Sequence, residues 1–566
     1  VASASLQQAA AGPAPVVQWL RSHAPAHAHL RLDSRTVEPG DVFVAVAGRR
    51  TNGAAYVGAA LARGAAALLT DAGKDAGSEV ARDAAYEAAH EGDCAAAQVG
   101  DPDRDHDGSG ATALPVPALA VHGLRPALGA IAAAYYGNPT AQLRTIGITG
   151  TNGKTSSCVW IAQVLESAGI RCATLGTLGF GFPGTVCADE SPLTTPDALS
   201  VQRLARAALD QGAARLAMEV SSIGLDQGRV DGVHFEVALF TNLTRDHLDY
   251  HPDMAAYAAA KRKLFLWPGL RDAVLNLDDA FGRELAAELA QLPPGQRPAV
   301  IGVATQRAMS TAVADLPLDM RIEAHDIEHR GDGLRFTVAC RHGAVVETRV
   351  LDTALLGDFN VANLLGVVGV ALACGVALDD AVAACARLQA PPGRLQRVAS
   401  ESVPAGTQGA VAIDEPLAVV DYAHTPDAIG KALLALRPVA RARQGRLWIV
   451  FGAGGDRDRG KRPAMAAAAA AAADAIVLTS DNPRSEDAAA IIDEIAGGMP
   501  AGFAFLRHVD RGAGIRAALH AAAAPDVVLI AGKGHENYQE VAGQRLPFSD
   551  VATARAALRE RTDAAA

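Results

Sequence analysis

The chain has 566 residues, 50% apolar and 20% charged, enough for about three domains of ordinary size. Its 51 Lys and Arg against 62 Asp and Glu leave a net charge of −11 with no long block of either sign, which disfavours nucleic acid or an anionic membrane held by bulk charge. Seven scattered cysteines, odd in number and never spaced CxxC, speak against a disulfide framework or zinc cluster and for a reducing, cytoplasmic setting.

Residues 1–20 lack the basic region, apolar run and small-residue cleavage site of a secretory signal. Short apolar runs at 42–47 and 65–70 are followed by an Asp-, Gly- and Ala-rich section, 71–112, expected to be an exposed or disordered insertion. From Leu143 onward, candidate strands at 144–149, 216–220, 237–241 and 273–277 alternate with helical patterns, which predicts a doubly wound α/β domain. The longest uncharged apolar stretch, 364–378, is broken by three glycines. As a helix it would span roughly 22 Å, short of the ~30 Å bilayer core, so no membrane span is expected. Pro391-Pro392-Gly393 marks a boundary. Beyond it, candidate strands at 417–421, 446–451, 475–479 and 526–531 predict a second α/β domain, whose polar strand-end loops are the default ligand site. The expected division is 1–142, 143–390 and 391–566.

The strongest chemical signal is Gly150-Thr151-Asn152-Gly153-Lys154-Thr155-Ser156, between an apolar strand and a helical run that Gly169 closes. Backbone N–H groups would surround phosphates there, Lys154 would reach the β and γ phosphates, and Thr155 would ligate Mg²⁺. Ile148 stands where a strict P-loop has its first glycine. Glu219, at the end of one later candidate strand, and His247, following another, could supply a carboxylate and an imidazole beside that loop. Lys261, in the helical pattern 254–265, reads by spacing alone as a solvated lysine. Gly452, Gly454 and Gly455 do not complete GxGxxG, because position 457 is Arg. Arg457 and Arg484 end two loops of the last domain, and their guanidinium forks suit carboxylates, so that with Glu536 they would fit a zwitterion.

Together these motifs resemble the muramyl ligases of peptidoglycan synthesis over nearly the whole chain. The resemblance is carried by residues 150–155, Thr194-Thr195-Pro196, 218–222, Thr241-Asn242-Leu243 with 246–251, 357–363, 421–426, 454–457, 481–484 and 532–536. It implies a three-domain α/β architecture with an N-terminal uridine-nucleotide domain, a central P-loop ATPase and a C-terminal Rossmann-like domain for the amino acid. It further implies an ATP- and Mg²⁺-dependent ligase, monomeric and cytoplasmic, that joins an amino acid, most closely meso-2,6-diaminopimelate, to the D-glutamate γ-carboxylate of a UDP-N-acetylmuramoyl-dipeptide.

By the same resemblance Leu32, Ser34, Arg49, Arg50 and Thr51 contact the nucleotide sugar, and Thr194, Thr195, Ser221, Gln227 and Arg229 line the rest of its path. Asn360, Arg394, Asp421 and His424 serve ATP beside the loop 150–156. Arg457, Asp481, Asn482, Pro483, Arg484, Gly532 and Glu536 take the diaminopimelate. Lys154, Glu219, His247 and Lys261 are the catalytic set. Mg²⁺ falls to Thr155, Glu219, His247 and Lys261, the last as the carbamate the family forms. Two departures stand out: Ile223 replaces the usual histidine after the two serines, and 52–56 lacks the customary aspartate and histidine. A related ligase using L-lysine, a P-loop kinase of another class and a non-enzymatic protein of the same fold remain as other readings. The last is expected to lack Lys154 or Glu219, and both are present.

Overall fold

The computed structural model describes residues 7–9, 12–46, 52–72, 114–187, 193–305, 316–400 and 415–565. Three large sheets and a two-stranded hairpin, Tyr538–Val541 with Gln544–Pro547, carry the described residues. The first has five parallel strands in the order Gln7–Ala9, Ala118–Val121, Ala67–Asp71, Val42–Ala45, Leu30–Arg31. Asp71, expected to open the insertion, instead ends a strand; 73–112 lies outside the described residues.

The second sheet has eleven strands. At its centre Thr145–Thr149 lies between Arg215–Glu219 and Phe235–Phe240, all parallel, with Asp272–Asn276 and Ala299–Thr305 beyond the latter. These strands are buried on both faces. Ile146, Ala217, Val237, Leu239 and Val274 pack on one side with the helices Lys154–Ser167 and Phe359–Ala373. Leu216, Met218, Ala238, Phe240 and Ala273 pack on the other with Ala198–Asp210 and Ala280–Leu289. Apolar residues at successive positions, rather than alternate ones, are what a doubly covered parallel sheet requires. The chain leaves Thr145–Thr149 toward one side and later returns on the other, so the carboxyl end of that strand is the crevice where such sheets bind ligands.

The sequence reading missed the edge of this sheet. Met320–Arg330, Gly333–His342 and Val345–Thr353 form an antiparallel meander joined through Gly331-Asp332 and Gly343-Ala344. Leu334, Phe336 and Val338 alternate inward, a period-two signal with short hairpin loops that was there to be read.

Residues 389–393 carry neither helix nor strand, and Gln389 O accepts a hydrogen bond from Trp160 Nε1 at 2.8 Å. The third sheet runs Gln396–Val398, Leu417–Asp421, Val527–Ala531, Leu447–Phe451, Ala475–Leu478, Leu506–Arg507, parallel except for its first strand. Its strand ends point their loops at 421–424, 452–457, 479–484 and 532–536 to one edge. Cys158, Cys172, Cys340, Cys374 and Cys385 are free thiols, and no helix among the described residues is long and apolar enough to cross a membrane.

Candidate active site

The loop after Thr145–Thr149 is shaped by two glycines. Gly150 has φ +148° and Gly153 +84°. A Cβ at Gly150 would stand 1.9 Å from Thr241 Oγ1, and one at Gly153 would stand 2.6 Å from Asn363 Oδ1, so side chains are excluded on steric grounds as well as conformational ones. The next strand end braces the loop. Thr151 N donates to Asn242 O at 2.8 Å, and Asn152 N donates to Asn242 Oδ1 at 3.0 Å. Thr241 Oγ1 donates to Asn152 O at 2.6 Å. The turn delivers Lys154, Thr155 and Ser156 to the first turn of a helix whose free N–H groups and dipole favour an anion. Lys154 Nζ donates to Gly150 O at 2.9 Å and Thr151 O at 2.8 Å. Burial lowers its pKa against the opposing pull of Glu219 and Asp246.

Glu219, only 1% exposed, closes the strand beside this loop. Thr155 Oγ1 donates to its Oε2 at 3.0 Å, and Thr177 donates through N to Oε1 at 2.8 Å and through Oγ1 to Oε2 at 3.3 Å. Burial raises the Glu219 pKa, with Lys154 the largest opposing influence. From Thr177 the bonds continue outward. Thr194 Oγ1 lies 3.2 Å from Thr177 Oγ1, Thr195 Oγ1 donates to Glu219 O at 2.9 Å, and Ser221 N donates to Thr195 Oγ1 at 2.9 Å. Arg229 Nη1 donates to Thr195 O at 2.9 Å and its Nη2 to Gln227 Oε1 at 2.7 Å. Thus Thr194, Thr195, Ser221, Gln227 and Arg229, singled out from sequence, form one network rooted in Glu219. Thr177 joins it without having been named in advance.

Lys261 is not a surface lysine, as its spacing alone implied. It is 1% exposed, its Nζ donates to Gly150 O at 2.8 Å, and it lies 4.4 Å from the Tyr257 ring centroid. Burial, then Lys154, hold its pKa well below the usual lysine value. His247 has φ +53°, stands edge-on to Tyr257 at 6.0 Å, and its Nε2 is 3.7 Å from Asp246 Oδ2. No contact joins it to Glu219 or Thr155. Ile223 occupies the position of the usual histidine, while His251 Nε2 lies 3.0 Å from Ser222 Oγ. Among the described residues no group of three or more His, Cys, Asp or Glu could hold a metal by itself. The hydroxyl and carboxylate oxygens of Thr155 and Glu219 nevertheless suit Mg²⁺, which takes few protein oxygens and completes its shell with water and phosphate.

The third domain faces this loop. Arg394 exerts a charge effect on both Lys154 and Glu219. Its guanidinium is 5.5 Å from the Tyr422 ring, and its buried Nε has no hydrogen-bond partner. Asp421 accepts from Leu395 N at 2.8 Å and Ala423 N at 2.9 Å, and burial raises its pKa. His424 Nδ1 is 2.8 Å from Tyr422 O. Asn360 Nδ2 donates to Leu356 O at 2.8 Å and its Oδ1 accepts from Asn363 Nδ2 at 3.0 Å, the same Asn363 that abuts Gly153. On the far side, Arg484 has φ +54°, donates through Nη1 to Gly455 O at 2.7 Å and lies 3.3 Å from Glu540 through Nε. Arg457 is exposed. Asn482 Nδ2 donates to Glu536 Oε2 at 2.9 Å, and Asp481 Oδ2 leaves no room for a side chain at Gly532.

Behind these loops lies a fully buried pair. Arg511 donates from Nε and Nη2 to the two oxygens of Asp550, both at 2.7 Å, and from Nη1 and Nη2 to Ser480 O and Ala531 O, both at 3.0 Å. Those carbonyls immediately precede Asp481 and Gly532. Leu32 packs at the margin of the first domain's core and Ser34 is buried in the short helix Ser34–Thr36. Arg49, Arg50 and Thr51 lie outside the described residues.

Comparison with known proteins agrees with this arrangement. The Mur ligase middle domain matches residues 148–371, the glutamate ligase domain of Mur ligases 409–534, and the Mur ligase family catalytic domain 27–136. The UDP-N-acetylmuramoyl-L-alanyl-D-glutamate--2,6-diaminopimelate ligase of Acidovorax sp. (strain JS42) is 45% identical over 96% of this chain and 97% of its own. The protein of that name from Pseudomonas aeruginosa is 45% identical over 94% of each chain. A solved structure of a ligase with the same name is 34% identical, covers 94% of this chain and 95% of its own, and superposes with a TM-score of 0.61. With its phosphate loop, braced carboxylate and three-sheet plan, the chain belongs to the Mur ligase family.

Proposed function

We propose that the protein joins meso-2,6-diaminopimelate to the γ-carboxylate of D-glutamate in UDP-N-acetylmuramoyl-L-alanyl-D-glutamate, with ATP as co-substrate, in peptidoglycan precursor synthesis. The observation that carries this reading is the Lys154, Thr155 and Glu219 cluster at a P-loop, within a chain 45% identical along nearly its full length to relatives of that name. The three units, 1–142, 143–390 and 391–566, take the uridine nucleotide, ATP and the amino acid. The enzyme acts in the cytoplasm as a monomer.

A carboxylate resists amines because oxide is a very poor leaving group. The γ-carboxylate oxygen therefore attacks the γ-phosphorus, ADP departs, and an acyl phosphate results. The neutral amine of diaminopimelate attacks its carbonyl carbon, the nitrogen loses a proton, and phosphate leaves with its bonding pair. Lys154 and the N–H groups of 150–156 hold the β and γ phosphates, and positioning with charge stabilisation supplies most of the rate. Thr155 and Glu219 would supply oxygen donors to Mg²⁺, with His247 and Lys261 on the same flank, and the bound ion would offset phosphate charge. Burial lowers the Lys261 pKa, which favours the neutral amine, the form that adds CO₂ and releases a proton to give a carbamate. Asn360, Arg394, Asp421 and His424 hold the adenine nucleotide. Leu32, Ser34, Arg49, Arg50 and Thr51, continuing through Thr194, Thr195, Ser221, Gln227 and Arg229, hold the uridine-linked substrate. Arg457, Asp481, Asn482, Pro483, Arg484, Gly532 and Glu536 receive diaminopimelate.

Phosphate release measured with each substrate omitted in turn tests the reading. Release that requires all three, with a product heavier by one diaminopimelate less water, supports it. A phosphorylated product formed without the amine would instead indicate a kinase.

A further inference from the structure

The loops 479–484 and 532–536 meet at a buried ammonium group. Lys533 is fully buried. Its Nζ donates to Asn482 Oδ1 at 2.8 Å and to Glu536 Oε2 at 2.9 Å. Asn482 Nδ2 donates to that same Oε2 at 2.9 Å, and Glu540 N donates to Asn482 Oδ1 at 2.9 Å. The triangle admits one arrangement of the amide. Turning Asn482 over would set its oxygen against the carboxylate and its NH₂ against two donors. Glu536 thus has Oε2 committed to two donors, while Oε1 has no partner among the described residues. Burying a charged lysine is costly unless it is paired, and Glu536 supplies the partner.

We propose that Lys533 is a positioning residue for the amino-acid substrate. It fixes the Glu536 carboxylate with Oε1 left to accept the substrate ammonium, and through Asn482 it holds the loop bearing Arg484 at a set distance from that oxygen. The two ends of a zwitterion, ammonium on Glu536 and carboxylate on Arg484, are thereby given a fixed spacing. Lys533 itself touches no reacting atom. The inference rests on the amino-acid reading given under Proposed function.

The test is steady-state kinetics on wild type, Lys533→Met, Glu536→Gln and the double variant, varying meso-diaminopimelate, ATP and UDP-N-acetylmuramoyl-L-alanyl-D-glutamate in turn, with thermal melts alongside. Lys533→Met should raise the KM for diaminopimelate about tenfold or more, the range for losing hydrogen bonds to charged groups. The other two KM values should stay within about twofold. The double variant should be little worse than the poorer single one, because both act on the same contact. If Lys533→Met does not fold, Lys533→Gln, which reaches one of the two acceptors, should give a severalfold rise. An unchanged diaminopimelate KM in a folded variant, equal increases in all three KM values, or multiplicative effects in the double variant would overturn the proposal while leaving an active wild type. Wild type that releases no phosphate in response to diaminopimelate would overturn the functional reading and this inference together.

Discussion

Replacing Arg484 with alanine separates what the loop needs in order to fold from what it needs in order to bind. Arg484 pairs with Glu540, and the two side chains are 23% and 27% exposed. An ion pair so open to solvent contributes about 0.2–1 kcal/mol, and the hydrogen bond to Gly455 O adds about 1 kcal/mol. The left-handed backbone at φ +54° burdens arginine and alanine alike, so it drops out of the comparison. Folding stability should therefore fall by only about 1–2 kcal/mol. Binding should suffer more. Nη2 has no partner among the described residues, and a diaminopimelate carboxylate left facing no cation would lose about 2–5 kcal/mol, a rise in KM of roughly thirtyfold to several thousandfold. Initial rates with each substrate varied in turn, beside a thermal melt, measure both quantities. ATP and nucleotide-peptide KM values should stay near normal, and wild type should reject L-lysine, which lacks that carboxylate. Arg484→Ala with an unchanged diaminopimelate KM, or wild type that uses L-lysine as well as diaminopimelate, would refute the reasoning.

Lys154→Ala should cut ligation on the order of 10²–10³-fold, the usual cost of one lost charge-stabilising donor, and near-normal turnover would mean ATP is handled elsewhere. Glu219→Gln should raise the Mg²⁺ concentration for half-maximal rate about 10–100-fold with little change in melting temperature; an unaltered Mg²⁺ curve would remove Glu219 from that role. In the chain without the carbamate, burial and then Lys154 place the Lys261 pKa below its unfolded value. Between those two pKa values the unfolded state binds more protons, so this group makes stability rise with pH up to about 10.4 and costs stability below that window. Lys261→Met should accordingly flatten that rise and raise the melting temperature near neutral pH, while lowering activity on the order of 10²-fold; a lower melting temperature with an unchanged pH slope would contradict this.

Strands with successive apolar residues were legible in the sequence to within one or two residues: Leu417–Asp421 coincides with its expectation, while Arg215–Glu219 and Asp272–Asn276 each begin and end one residue earlier, because burial on both faces makes the apolar run visible but pairing with neighbouring strands sets its ends. The antiparallel meander was not picked out, since Met320–Arg330 carries His, Asp, Glu and Arg along its half-exposed face and gives no continuous apolar run. At the site, motif order picked out the loop 150–156, Glu219 and the loops 481–484 and 532–536, all of which the fold places at strand ends. Spacing alone misjudged Lys261, because nothing local says that Tyr257 and Gly150 will enclose it. Thr177 meets Glu219, 42 residues distant, and Lys533 meets Asn482, 51 residues distant, through sheet order, although the Lys533–Glu536 pair is local.

The Arg511–Asp550 pair bears on how this unit comes apart. Asp550 begins the helix Asp550–Ala565, and lifting that helix away would strand a guanidinium in a dry interior at a cost of several kcal/mol. Partial opening at this edge should therefore be suppressed: the helix and the ends of the strands Ala475–Leu478 and Val527–Ala531 are expected to exchange their amide protons as one cooperative block, with the loops 479–484 and 532–536 ordered for as long as that block is.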